Sequence, residues 1–504
     1  MTAAIDNALL TTLTQLGFDQ AGAYQAEPDV VNSTRVLIKF LMSDTKNASV
    51  RVQMGTSNVW EQDLIPLLIQ HAENDELFGV LVRLMLNLSL PTRKVFVGPN
   101  AFSSEEFKDA IKTNLDLRHN YQKCEENLLA YKASFANVDV WHVLKTKLSK
   151  LLAIDWEDRE TEDSYLIERI LYLVRNVLHV ANSTTDNNRA SGEDTTHDKV
   201  AKCFVESGFG KVVTFIASSE DCLDYRGHVL EIIAQVLREQ DPVSLALANS
   251  AKEKSAAEAA LVQIKEQEER TERAKKMSGS QSRHSRFGGT FSVIQPGQAK
   301  NIVTKKLVRS VAEVSLDRVK KSTKLRHSKT KAKDIIRSRI SSSAVRTTLQ
   351  RFCDSFLDYG YNVSMYGMRN FIERNSQTTD DNDEVYYFHI MHIFMQYTMA
   401  RPDWDESTKI AFISETLSQE TVSFVERAIY RYQEQILCDK LKKVEWTQKL
   451  NYAICAFRTI ITTIMTMAKS KDVNIVHAGQ QIKEQILYAP EYREIIPKLF
   501  KDFK

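Results

Sequence analysis

Between Thr161 and Val180 the chain reads TEDSYLIERILYLVRNVLHV. Leu166, Ile170, Leu173 and Val177 fall on one helical row and Ile167, Leu171, Val174 and Leu178 on the next, a spacing that only a 3.6-residue period brings together. The opposite row is Glu168, Tyr172, Arg175 and His179, with Arg169 and Asn176 beside it. A helix that is apolar around most of its circumference needs neighbours on two sides. The pattern therefore predicts a stack of helices with this one inside it, bonds between layers along the polar row, and a stitching role for Asn176.

The same period recurs on both sides. Before the central segment it predicts helices at Leu9–Leu16, Val31–Leu41, Asp63–Ile69, Leu77–Leu90, Leu128–Phe135 and Trp141–Leu152. After it come Val200–Val205, Lys211–Ala217 and His228–Arg238, and then, beyond a long interruption, Val345–Tyr359, Tyr366–Arg374, Glu384–Met399, Thr421–Cys438, Val444–Met467, Val476–Tyr488 and Tyr492–Phe500. Three of the predicted helices carry one amide inside an apolar run: Asn87, Asn176 and Gln235. In armadillo-type repeats such an amide bonds the backbone of the adjoining unit; a buried amide tolerated by ordinary helix packing reads the same. Either way the expectation is an all-α, armadillo/HEAT-like helical repeat solenoid of irregular period, with a long basic loop excursion. It divides into N-terminal repeats (1–240), a projecting helix and Ser-rich loop (241–345) and C-terminal repeats (346–504).

Composition sharpens this picture. Gly (16) and Pro (9) are scarce in 504 residues, which favours helices over sheet. The six cysteines form no CxxC pair, so neither a zinc knuckle nor a disulfide framework is indicated and a reducing compartment is expected. The N-terminus lacks a basic n-region and an unbroken apolar core, and Arg458 with several threonines interrupts the apolar stretch Ile454–Met467. No leader and no membrane span are expected.

The net charge of +2 conceals a segregation. From Arg273 to Arg346 there are 20 Lys and Arg against 3 acids, whereas the remainder carries 47 basic and 62 acidic residues. Lys305, Lys306, Arg309, Lys320, Lys321, Lys324, Arg326, Lys329, Lys331 and Lys333, with Arg337 and Arg339, are each able to displace a counterion from double-stranded DNA without reading its sequence. A solvated linker or an import signal has the same composition. Just before this run, Arg283, His284, Arg286, Phe287, Gly288 and Gly289 form a compact motif that continues through Phe291, Val293 and Ile294. Aromatic and β-branched residues in an otherwise polar loop suit a docking peptide for a protein partner, or packing onto the chain's own stack.

Enzyme signatures are poor. Gly208-Phe209-Gly210-Lys211 lacks the preceding Gly and following Ser or Thr of a phosphate loop, and His389 and His392, three apart, read as core or boundary histidines before metal ligands. Asp380, Asp381, Asp383 and Glu384 suit a helix start. Neither a catalytic residue nor a cofactor site is expected.

LFGVLVRLMLNLSLP (77–91), EDSYLIERILYLVRNVLHV (162–180), HVLEII (228–233), RHSRFGG (283–289), SETLS (414–418) and EYREI (491–495) together resemble the N-terminal part of the Timeless family of replication fork protection proteins. The resemblance implies a nuclear, non-enzymatic platform that pairs with Tipin, rides at the front of the replicative helicase and contacts its MCM subunits and the parental duplex. It also implies checkpoint signalling through Claspin and work with cohesion factors. RHSRFGG is then the expected helicase-docking motif, the basic run the DNA contact, and the C-terminal helices the place for Tipin. Two other readings fit a helical scaffold: a circadian clock-associated protein-binding scaffold, and an importin-type carrier, which regular ladders of Trp and Asn would mark.

Overall fold

The computed structural model describes residues 2–20, 23–44, 46–97, 104–187, 189, 192–248, 289–293, 301–305, 339–374, 383–438 and 442–488. Among them are 22 α-helices and two short antiparallel hairpins, Gly17–Gln20 with Ala23–Ala26 and Gly289–Val293 with Asn301–Lys305. The chain forms two compact units: Met1–Ala248 together with Ser338–Lys504, and Asn249–Arg337. The protein is all-α, as its periodicity predicts. The hairpins escape that reading because four- and five-residue strands carry too little alternation to stand out.

Six helices of the larger unit pack in a row: Val30–Met42, Asp75–Leu88, Thr161–His179, Arg226–Val236, Asp383–Ala400 and Lys443–Met467, each against the next. Thr161–His179 has Glu162 and Asp163 in its first turn, where its dipole favours carboxylates. It buries Ile167, Ile170, Leu171, Leu173, Val174, Val177 and Leu178 between Asp75–Leu88 and Arg226–Val236. Lys443–Met467 is 25 residues long, with a window of mean hydropathy 1.2, and is the one described helix long and apolar enough to cross a bilayer. In this fold Leu450, Ala453, Ala456, Ile460 and Ile464 lie in the protein core.

One hydrophobic core runs through the larger unit from Leu9 to Ile475. An aromatic chain carries it past the interruption in sequence: Trp141 meets Phe204 and Phe209, Phe204 meets Phe352, and Phe352 and Phe356 lead to Phe394. The Gly208–Lys211 stretch serves this junction. Gly208 begins a helix at φ +81°, a conformation glycine adopts without strain. Phe209 is buried, and a Cβ on Gly210 would lie 2.9 Å from the Phe352 ring. None of the six cysteines is in a disulfide among the described residues. His389 is buried edge-on to Tyr452, and His392 Nδ1 lies 2.7 Å from Thr459 Oγ1, so both histidines face the Lys443–Met467 helix.

Candidate functional site

The polar row of the central helix makes bonds between layers along its whole length. Glu168 Oε1 lies 3.9 Å from His228 Nε2, and the Tyr172 and His228 rings are 4.3 Å apart. Arg175 Nη1 meets Glu231 at 3.3 Å with both side chains largely buried, and His179 Nδ1 is 3.4 Å from Gln235 Nε2. On the other side Asn176 donates to Ser89 Oγ at 3.4 Å, reaching the end of the preceding layer. Tyr386 continues the seam by hydrogen bonding to Glu231 and Gln235, and burial raises its pKa. Each amide singled out by sequence sits on a successive helix of the row, although Asn87 donates within its own helix, to Arg83 O.

At the C-terminal end of this helix, Lys132 Nζ donates to Val180 O at 2.6 Å. Arg238 donates to His179 O and Val180 O at 3.1 and 3.0 Å. Two basic side chains cap the last carbonyls; Lys132 is buried and Arg238 half-buried. Desolvation first, and the neighbouring Arg238 second, lower Lys132 to about 6. Desolvation first, and then Arg238 and Arg175, lower His179 to about 4. The arrangement holds a helix end.

The larger unit meets the start of the excursion and its return at one clamp. Thr195 and Asp198 form a capping box on Thr196–Glu206, legible in sequence as T-x-x-D. Asp198 also accepts from Gln240 Nε2 at 2.9 Å, from Ser341 Oγ at 3.0 Å and from Arg339 Nη2. Arg339 further donates to Glu193 O at 2.7 Å, its backbone bridges Gln240, and Asp241 N donates to Arg339 O at 3.3 Å. Arg339, read from composition with the phosphate-contacting set, is thus a clamp residue. Its charge is committed to a carboxylate that burial would otherwise leave uncompensated.

Of the docking motif, Gly289 opens the second hairpin, whereas Arg283, His284, Arg286, Phe287 and Gly288 lie outside the described residues. Of the basic set, Lys305 closes that hairpin, and Lys306, Arg309, Lys320, Lys321, Lys324, Arg326, Lys329, Lys331 and Lys333 lie outside them, as do Asp380 and Asp381. Gly289 and Lys305 are register partners. The last residue of the motif and the first of the basic run therefore pair across one ladder, so both runs leave from the open end of the same hairpin. Thr290, Val293, Ile302, Val303 and Thr304 are strand formers, which explains the β-branched residues noticed in sequence.

A family model described as Timeless protein matches residues 23–293. The chain belongs to the Timeless family. The match takes in the central helix, the clamp at Asp198 and the docking motif, and ends with the first strand of the hairpin, before the basic run. The chain is similar to the protein timeless homolog of Mus musculus, 31% identical over 500 residues, covering 98% of this chain and 40% of the relative. Its similarity to topoisomerase 1-associated factor 1 of Aspergillus clavatus is 22% over 530 residues, covering 99% and 43%. With the mating-type switching protein swi1 of Schizosaccharomyces pombe it is 19% over 409 residues, 81% and 40%. The chain thus spans about two fifths of the length of these Timeless relatives.

Proposed function

We propose that the chain is the helical platform of a replication fork protection factor, a nuclear, non-enzymatic scaffold of the replisome. The observation that carries this reading is membership of the Timeless family across the central helix and the docking motif. Similarity to a topoisomerase 1-associated factor and to swi1 supports it. The six-helix row with its polar seam supports an armadillo/HEAT-like solenoid, in which 1–240 and 346–504 are the repeats and 241–345 the excursion.

In this reading Arg283, His284, Arg286, Phe287, Gly288 and Gly289 dock on MCM subunits of the replicative helicase. Lys305, Lys306, Arg309, Lys320, Lys321, Lys324, Arg326, Lys329, Lys331 and Lys333 hold the parental duplex through its phosphates. Tipin binds the C-terminal helices. Claspin and cohesion factors join the assembly, which serves fork progression, the S-phase checkpoint and sister-chromatid cohesion. The Gly289–Lys305 pairing supports the two contacts acting side by side. Arg286→Glu with Phe287→Ala is expected to lower capture of the helicase in pull-downs while leaving capture of Tipin intact. Loss of both, with a lower melting temperature, would instead make the motif part of the fold.

A further inference from the structure

A second surface lies on the larger unit, away from the excursion in sequence. A groove of about 660 Å³ runs between Arg226–Val236, the turn before it and Tyr361–Arg374. The latter helix turns Tyr361, Met365, Met368 and Ile372 to the core. Its other side leaves Val363, Tyr366 and Phe371 exposed at 42%, 53% and 44%, and Leu223 faces them at 56%. Four large apolar side chains on one groove are more than scattered surface residues require.

The floor of this groove holds a cation. Arg226 is only 5% exposed, yet its one hydrogen bond is to a carbonyl, Ser219 O at 3.0 Å. Its Nε has no partner, and no ion pair reaches it among the described residues. Arg369, buried to a similar degree one turn along, meets Glu415 and Glu420. Glu220 acts on Arg226 electrostatically without bonding to it, and a buried guanidinium that meets no carboxylate at bonding distance is costly. Gly367 lets it lie where it does, since a Cβ there would stand 2.1 Å from Arg226 Nη1. On the turn beside Leu223 the exposed charges are acidic, Glu220 and Asp224, while Arg374 is exposed at the end of the opposite helix.

We propose that this groove docks an amphipathic helix of a partner protein. Its apolar face covers Leu223, Val363, Tyr366 and Phe371, one carboxylate among those apolar residues pairs with Arg226, and basic residues flank it opposite Glu220 and Asp224. The pattern selects a helix because the groove runs between helices and offers no strand edge among its described residues. The single carboxylate follows from the buried guanidinium on the groove floor, which meets no acid at bonding distance among the described residues, and Arg is suited to bidentate pairing with it. The inference is independent of the helicase and DNA contacts proposed above.

The test is selection of a displayed library of helical peptides about five turns long on the full chain, with counter-selection on the Tyr366→Asp/Phe371→Asp variant. Circular dichroism and melting establish that the variant is folded; if it is not, Leu223→Asp replaces it. The expected peptides carry apolar residues at i, i+3 or i+4 and i+7 with one Asp or Glu among them. Changing that acid to its amide should weaken binding about tenfold or more. Arg226→Met should abolish the difference between acid and amide, and Gly367→Ala, which displaces the guanidinium, should reduce it. Recovery of peptides without a common acid, equal binding of acid and amide, or failure to obtain peptides that distinguish the two chains would overturn the proposal. So would sedimentation showing that the chain self-associates through this face and that Tyr366→Asp abolishes the association, which would make the occupant a second copy.

Discussion

Lys132 and Arg238 converge on Val180 O, and the folded protein keeps both only by weakening the hold of Lys132 on its proton. Unfolded, Lys132 retains its proton up to its ordinary value of 10.5; folded, it releases it above about 6. Between those values the unfolded chain binds the extra proton, so this group makes stability rise with pH, by about 1.4 kcal/mol per unit. Lys132→Met removes that dependence. Urea denaturation of the two chains between about pH 7 and about pH 9 should show the variant's stability advantage shrinking by about 3 kcal/mol, whereas a constant difference would mean that the buried amine stays charged. Nothing in the local sequence marks Lys132, in a helix of weak amphipathicity, as buried. Its environment comes from Val180 and Arg238, 48 residues or more away. The row Glu168, Tyr172, Arg175 and His179 was legible, because helical spacing alone sets those residues on one face.

Among elements, the central helix gains specificity from its seam as well as its core. Arg175→Ala would leave Glu231 largely buried with Tyr386 as its remaining partner. The expected loss is about 2–4 kcal/mol in chemical denaturation, with Glu231→Gln recovering part of it in a double-mutant cycle. Full additivity of the two changes would remove the pair from the account. The clamp makes a sharper demand: Asp198→Ala leaves Arg339, Ser341 and Gln240 without their shared acceptor. It should cost about 3 kcal/mol or more and admit protease near residues 339–341 before the core helices. Long helices were legible because their periods are long. The short ones, such as Ser49–Thr56 and Thr92–Phe96, and both hairpins were not, since tertiary contacts stabilise elements too brief to show a period. Of the candidate site, the motif and its charge run could be read from composition. Their pairing through Gly289 and Lys305 is a matter of register that composition does not encode.

For the whole molecule, the larger unit is continuous across the excursion. Its core passes from Phe204 to Phe352, and its backbone joins Asp241 to Arg339 while Gln350 Nε2 donates to Ala246 O at 3.0 Å. Two properties separate as a result: a body that carries the acidic excess, and an insertion that carries the basic one. In the proposed function the first is a platform and the second its hold on DNA. The direct measurement compares the full chain with one in which residues 249–337 are replaced by a short Gly/Ser linker, titrating binding to a duplex against salt and following melting of both chains. A cooperative melt is expected in each, and binding by the full chain whose logarithm falls with log salt at a slope of about 0.9 per phosphate met. The shortened chain should lose nearly all of that affinity. Equal DNA binding by the two chains, or affinity indifferent to salt, would contradict it.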